Sequence, residues 1–170
     1  QSVPFPWPHN LTLSRLVARS LRRSDNAIFQ LDICGQDSWW LGLLVPLSLN
    51  SSNVVLVLST VQLKRLTNVD LPRLKQQGLS LAYWEGNRPP KGKQLWLLDY
   101  KGLVLALASG HLHSKQIIFP QAEHLSIRLR NALALEITLA HWEQLVRANS
   151  TAGSALFDLY DRLSRRLFAL

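Results

Sequence analysis

Short runs of apolar residues with no alternating polar positions constrain the fold of this chain more than any other feature. The clearest run is Asn-Val-Val-Leu-Val-Leu at residues 53–58, and it leads directly into a helical pattern. A strand that is apolar at every position has to be covered on both faces, as in parallel sheets flanked by helices. We therefore predict an α/β domain with a mainly parallel sheet of about five strands and helices on both faces.

The strands and helices of this prediction alternate along the chain. The strand candidates are residues 27–33, 53–58, 79–84, 95–98 and 117–119. The helix candidates are residues 11–23, 39–49, the segment after Ser59-Thr60, 102–108, 138–148 and 153–168. Ligand sites of such sheets lie beyond the carboxyl ends of the strands, which here are residues 31–38, 59–61, 99–101 and 120–124. The three prolines among residues 1–9 predict an extended segment over residues 1–10, and residues 11–170 then form a single domain.

Basic residues give the chain a net charge of +8. Residues 1–23 contain no acidic side chain, and their four arginines share one face of the first predicted helix, at Arg15, Arg19, Arg22 and Arg23. This balance favours a polyanionic partner, with nucleic acid first. The alternative is a solvated surface that the charges keep soluble.

The cellular context is predicted from residues that are rare or missing. The single cysteine, Cys34, together with the lack of a signal peptide, favours a reducing cytoplasmic compartment. No apolar run approaches the roughly 18 residues that span a bilayer, so we expect no membrane association. The chain begins at Gln1 and contains no methionine, and we interpret it as a fragment or a processed product.

Several stretches together resemble the first motor domain of superfamily 2 helicases, most closely of the DinG/XPD type. They are residues 7–21, Ala-Ile-Phe-Gln at 27–30, Val-Val-Leu-Val-Leu-Ser-Thr at 54–60 with Leu-Pro-Arg-Leu at 71–74, and residues 117–125. Their order and spacing cover most of the chain. The resemblance implies a RecA-like three-layer sandwich.

The phosphate loop of that family has only a degenerate counterpart here. The family pattern Gly-x-x-x-x-Gly-Lys-Ser/Thr uses glycines for close backbone approach and lysine for the β- and γ-phosphates. The equivalent residues 31–40 keep Gly35 and Ser38 but place Trp39 and Trp40 in the Lys-Ser/Thr region. Asp32 and Asp37 would also repel a triphosphate.

The second ATP motif of the family is also lost. Its Asp-Glu pair holds magnesium and orients water, but Pro120 and Gln121 stand at those positions. The family's iron–sulfur insertion needs about four cysteines, and this chain has one. We therefore expect a catalytically inactive domain without cofactors, and no ATP binding.

The turn after the second strand candidate retains the family's pattern. In the resembled helicases this Ser/Thr turn contacts the nucleic-acid backbone, and Ser59 and Thr60 match it, with Lys64 and Arg65 one helical turn later. The alternative is a helix N-cap followed by an ordinary solvated basic turn.

Other constellations favour structural roles. His111, His113, Glu123 and His124 lack the spacing of a zinc site, so we predict no metal. Trp39, Trp40 and Trp84 could stack on bases or cover a hydrophobic partner, with core packing as the alternative.

Three functional hypotheses remain open. The first is an inactive helicase-like domain that binds single-stranded nucleic acid through its basic residues, without sequence preference. The second is a protein-interaction module that uses Trp39 and Trp40 on the former nucleotide-site surface. The third is the N-terminal part of an active helicase whose motifs are aligned differently.

Overall fold

The computed structural model describes residues 8–32, 39–134 and 138–168. The chain divides into two compact units, Gln1–Leu133 and Ala134–Leu170. The helices are α1 Asn10–Arg23, α2 Trp40–Leu49, α3 Thr60–Arg65, α4 Leu71–Gln76, α5 Tyr100–Ala108, α6 Leu125–Leu133, α7 Leu139–Ala148 and α8 Gly153–Phe168. The strands are β1 Val54–Leu58, β2 Tyr83–Glu85, β3 Leu95–Asp99 and β4 Gln116–Ile118.

The four strands form one sheet in the order β2-β3-β1-β4. Every pairing is parallel: Val55 aligns with Trp96 of β3 and Ile117 of β4, and Trp84 aligns with Trp96. The predicted α/β architecture with a parallel sheet is thus confirmed, with four strands in the described residues instead of about five.

Apolar side chains on both sides of the sheet explain why β1 and β3 are continuously apolar. Val54, Leu56 and Leu58 pack into one core, together with residues of α1, α2 and α4. Val55 and Val57 point the other way, into a second core that contains residues of α5 and is flanked by residues of α6. All five residues of β1 are buried, as the sequence pattern requires.

The first predicted strand, residues 27–33, is wrong where the structure describes it. Residues 27–32 have no regular secondary structure, and the side chain of Ile28 is 93% exposed. Polar Gln30 and Asp32 interrupt the run, so it offers too little continuous apolar surface to be held inside a sheet.

The predicted helices form close to their expected bounds, with two differences. The segment after Ser59-Thr60 contains a π-helical turn, Leu66–Asp70, before α4. Pro72 lacks an N–H and crowds the carbonyl four residues back, so a widened turn accommodates it in the first turn of α4. Helix α6 was not predicted at all.

The second unit consists of α7 and α8 joined by a short 3₁₀ turn. Thr138 caps α7 by accepting a hydrogen bond from the backbone N–H of His141 at 3.2 Å. Within this unit the Trp142 and Tyr160 rings lie 5.5 Å apart. Among all the helices in the described ranges, none combines the length and the apolar character needed to cross a bilayer.

Candidate functional site

The segments that follow the neighbouring strands β1 and β3 pack on opposite faces of the sheet. After β1, Leu66, Leu71 and Leu74 pack into the core of the first face. After β3, Tyr100 and Leu103 pack into the core of the second face. A crevice opens where parallel strands diverge in this way, and ligands of open α/β sheets bind at such points.

A cleft of about 210 Å³ occupies this position. It is lined by residues that follow β1, residues that follow β3, and residues of α6, namely Ser59, Thr60, Asp99, Tyr100, Lys101, Arg128, Asn131 and Ala132. The sheet brings the first two groups together, and α6 closes one side.

Two helices begin at this cleft, each capped by a side chain. The Ser59 hydroxyl accepts from the backbone N–H of Gln62 at 3.3 Å, and the Gln62 side chain accepts from the N–H of Ser59 at 3.1 Å. The Asp99 carboxylate accepts from the backbone N–H of Gly102 at 2.7 Å. Both caps fix the backbone at the cleft, while the Thr60 side chain stays exposed.

Arg128 of α6 connects the exits of three strands. Its guanidinium donates to Gln62 Oε1 at 3.4 Å, to the Tyr100 hydroxyl at 3.3 Å and to Gln121 Oε1. Its Cζ lies 5.5 Å from the centroid of the Tyr100 ring. All of these partners are neutral, and no carboxylate in the described part of the chain forms an ion pair with Arg128. The cleft therefore holds an oriented guanidinium that forms no ion pair with a carboxylate of the described residues, although Asp99 lines the same cleft.

The predicted residues after β1 and β4 converge on this site in part. Ser59 and Thr60 line the cleft, and Gln121, which follows Pro120, holds Arg128 in place. Lys64 and Arg65 lie in the last turn of α3, and the Arg65 side chain lies 3.7 Å from Asp70.

None of the four predicted arginines of α1 lines the cleft. All four are exposed, as expected, and Arg23 lies 3.3 Å from Asp25. The Gln116 side chain donates to the carbonyl of Ser20 at 3.4 Å, which places the end of α1 beside the start of β4. Since Ser59 follows the other end of β1, about 13 Å along the strand, Arg19, Arg22 and Arg23 do not join the cleft.

The predicted nucleotide-site tryptophans lie in the core. Trp39 and Trp40 are 6% and 7% exposed, and their rings stack with centroids 4.6 Å apart. Core packing, one of the three interpretations, explains both residues. Gly35 and Ser38 lie outside the described residues.

Sequence reasoning placed a ligand site at residues 99–101 without singling out a residue there, and it missed the cleft residues of α6. An N-cap signal at Asp99, after an apolar run, could have indicated the start of α5 at Tyr100 and Lys101. Leu125, Leu129 and Ala132 follow i, i+4, i+7 spacing, which could have revealed α6. Nothing local could have singled out Arg128, because its role depends on three strand exits that meet only in the fold.

His111, His113, Glu123 and His124, which were weighed as metal ligands and set aside, are not grouped as a metal site in the described residues. His124 Nε2 lies 3.9 Å from Glu123 Oε1, and both side chains are exposed. Within residues 8–32, 39–134 and 138–168, no three His, Cys, Asp or Glu side chains group together as metal ligands would.

Comparisons with known proteins identify no family for this chain. No protein-family model matches the chain, and neither a curated protein nor a solved structure matches it.

Proposed function

We propose that this chain binds the phosphate backbone of single-stranded nucleic acid, without sequence preference and without hydrolysing ATP. The observation that carries the proposal is Arg128, a guanidinium held by neutral acceptors in a cleft at the carboxyl ends of β1 and β3. The single cysteine favours the cytoplasm as the compartment of this function.

The charge of the cleft favours an anion. Lys101 and Arg128 contribute two cations, and Asp99 contributes one carboxylate that is engaged in capping α5. The guanidinium has five N–H donors and three of them are engaged, so those left over, with the exposed Thr60 hydroxyl, can donate to the two non-bridging oxygens of a backbone phosphate. Phosphate contacts of this kind position a nucleic acid without reading its sequence.

The size of the cleft favours a segment of a polymer over a free small molecule. Pockets for small ligands usually enclose about 300–1,000 Å³. At about 210 Å³, this cleft is smaller than that range but can hold a phosphate group of a longer strand.

The helicase resemblance supports the same location. Ser59 and Thr60 match the turn that contacts the nucleic-acid backbone in the resembled family. We extend the proposal to a RecA-like three-layer fold whose nucleotide site has degenerated. Trp39 and Trp40 stand where that family needs Lys and Ser/Thr, and Gln121 is engaged with Arg128.

The arginine face of α1 is a separate element of the proposal. Arg15, Arg19 and Arg22 are exposed and make no ion pair within the described residues. They offer additional contacts to a long strand, away from the cleft. The protein-interaction alternative based on Trp39 and Trp40 would need the core to open, since both indoles are buried.

Fluorescence anisotropy with a labelled 20-mer of oligo-dT tests the proposal. The chain should bind at low salt, and log K should fall with log salt by about 0.7 for each phosphate contacted. Arg128→Gln should weaken binding about 10- to 150-fold, because a hydrogen bond to a charged group contributes about 1.5–3 kcal/mol.

Arg162→Gln is the matched control. It removes one exposed arginine of α8, paired with Asp158 at 2.7 Å, and should leave binding almost unchanged. Absence of salt-dependent binding, or equal effects of the two substitutions, would overturn the proposal.

A further inference from the structure

Strand β2 presents two exposed aromatic side chains at the edge of the sheet. It is the terminal strand in the order β2-β3-β1-β4. Tyr83 is 38% exposed and Trp84 is 43% exposed. The following loop, residues 86–94, returns the chain to the start of β3.

The indole of Trp84 is held in one orientation by this loop. Its Nε1 donates to the backbone carbonyl of Arg88 at 3.0 Å. Its ring lies against Gly86, where an added Cβ would be only 2.9 Å from the ring atoms. The loop is fixed in turn because Trp96 Nε1 donates to the Gly86 carbonyl at 2.8 Å. A planar ligand that stacks on Trp84 therefore does not have to order the side chain first.

The surroundings of this indole are basic. Arg88, Lys91 and Lys93 are exposed on the loop, and none of them forms an ion pair within the described ranges. The nearby acid is Glu85, at the end of β2. A surface that combines a fixed aromatic ring with unpaired cations complements a base and its flanking phosphates.

Trp84 also lies on the same face of the sheet as the cleft. It aligns with Trp96, whose side chain packs into the core next to α5 and α6. Aligned residues of parallel strands point to the same face. Asp99 is three residues beyond Trp96, about 10 Å along β3. A short stretch of single-stranded nucleic acid could therefore reach both Trp84 and the cleft.

We infer that Trp84 is a base-stacking platform for the single strand whose backbone lies in the Arg128 cleft, with Arg88, Lys91 and Lys93 contacting the neighbouring phosphates. This inference rests on the proposed function and adds to it a preference for strands that carry bases. Stacking on an indole tolerates any base, which agrees with binding that is independent of sequence.

Two ligands of equal charge test the inference by anisotropy: labelled oligo-dT and an abasic deoxyribose-phosphate strand of the same length. The unmodified chain should bind oligo-dT about 5- to 150-fold more tightly, the range that one stacked base provides. Trp84→Leu should abolish that preference and leave the abasic strand bound as before. Phe29→Leu, which changes an exposed aromatic that belongs neither to β2 nor to the loop of residues 86–94, should preserve the preference.

The outcomes separate the two proposals. Salt-dependent binding with equal affinity for both strands would overturn the stacking inference and leave the proposed function standing, whether or not Trp84→Leu folds. A preference that survives in a folded Trp84→Leu chain would overturn it as well. Failure of the unmodified chain to bind either strand at low salt would overturn both.

Discussion

Replacing Gly42 by alanine has two opposing effects on stability: it raises the helix propensity of α2 and crowds the contact of α2 with α1. Gly42 lies in the first turn of α2, where alanine is favoured over glycine by about 1 kcal/mol. An added methyl group would lie 2.9 Å from Leu13 Cδ2, 3.0 Å from Leu13 Cβ and 3.1 Å from the Asn10 carbonyl oxygen. The last two atoms are fixed to the backbone of α1, so rotation of one side chain cannot relieve the contact.

Movement of α1 would also weaken two hydrogen bonds. The N–H of Gly42 donates to Asn10 Oδ1 at 3.0 Å, and the Ser14 hydroxyl donates to the Gly42 carbonyl at 3.1 Å. Overpacking costs about 1–3 kcal/mol, and each weakened bond costs up to about 1 kcal/mol. With the propensity gain subtracted, we expect Gly42→Ala to lower the free energy of unfolding by up to about 4 kcal/mol.

Equilibrium urea unfolding measures this change. Gly92→Ala is the matched control, because an added Cβ there meets no atom within 4 Å, and its effect should stay within about 0.5 kcal/mol. Stabilisation of Gly42→Ala by about 1 kcal/mol, which propensity alone would give, would refute the packing of α1 against α2.

Three further predictions concern the arginines, the tryptophans and ATP. Changing the four exposed α1 arginines to Gln together should reduce the slope of log K against log salt for nucleic-acid binding by up to about 3, with little effect on folding. Anisotropy at several salt concentrations measures the slope, and an unchanged slope would exclude α1 from the interface. Trp40→Ala should lower the free energy of unfolding by about 3–5 kcal/mol, and a change below about 1 kcal/mol by urea unfolding would show that the ring is not core. Calorimetry with ATP and Mg²⁺ should detect no binding, because the sequence contains neither a Gly-x-x-x-x-Gly-Lys-Ser/Thr pattern nor an adjacent Asp-Glu pair; a micromolar dissociation constant would contradict this expectation.

The sheet could be predicted where burial alone dictates the sequence. Val54 to Leu58 is buried on both faces, and only apolar residues satisfy that condition. Residues 27–32 carried a similar but interrupted pattern, and the exposure of Ile28 shows that a short apolar run does not by itself specify a strand. A run of this length needs a neighbouring strand and a covering helix, which local sequence does not reveal.

The cleft could be predicted only in part. The strand exit at Ser59-Thr60 was expected to carry ligand contacts, because such exits line the sites of parallel sheets. The role of Arg128 could not be predicted from the sequence, because its three partners, Gln62, Tyr100 and Gln121, are distributed over 60 residues. Conversely, the basic residues of α1 and α3 form one group by charge, yet the end of α1 lies beside the start of β4 while α3 begins beyond the opposite end of β1.

Mapping of backbone amide shifts by NMR tests the central claim most directly. A short oligo-dT would be titrated into the ¹⁵N-labelled 19.3 kDa chain at low salt. The largest shifts should fall at Thr60, Lys101 and the residues around Arg128, where the carboxyl ends of β1 and β3 meet α6. Shifts confined to the end of α1 around Arg19 to Arg23, or no shifts at all, would contradict a phosphate-binding cleft at this place.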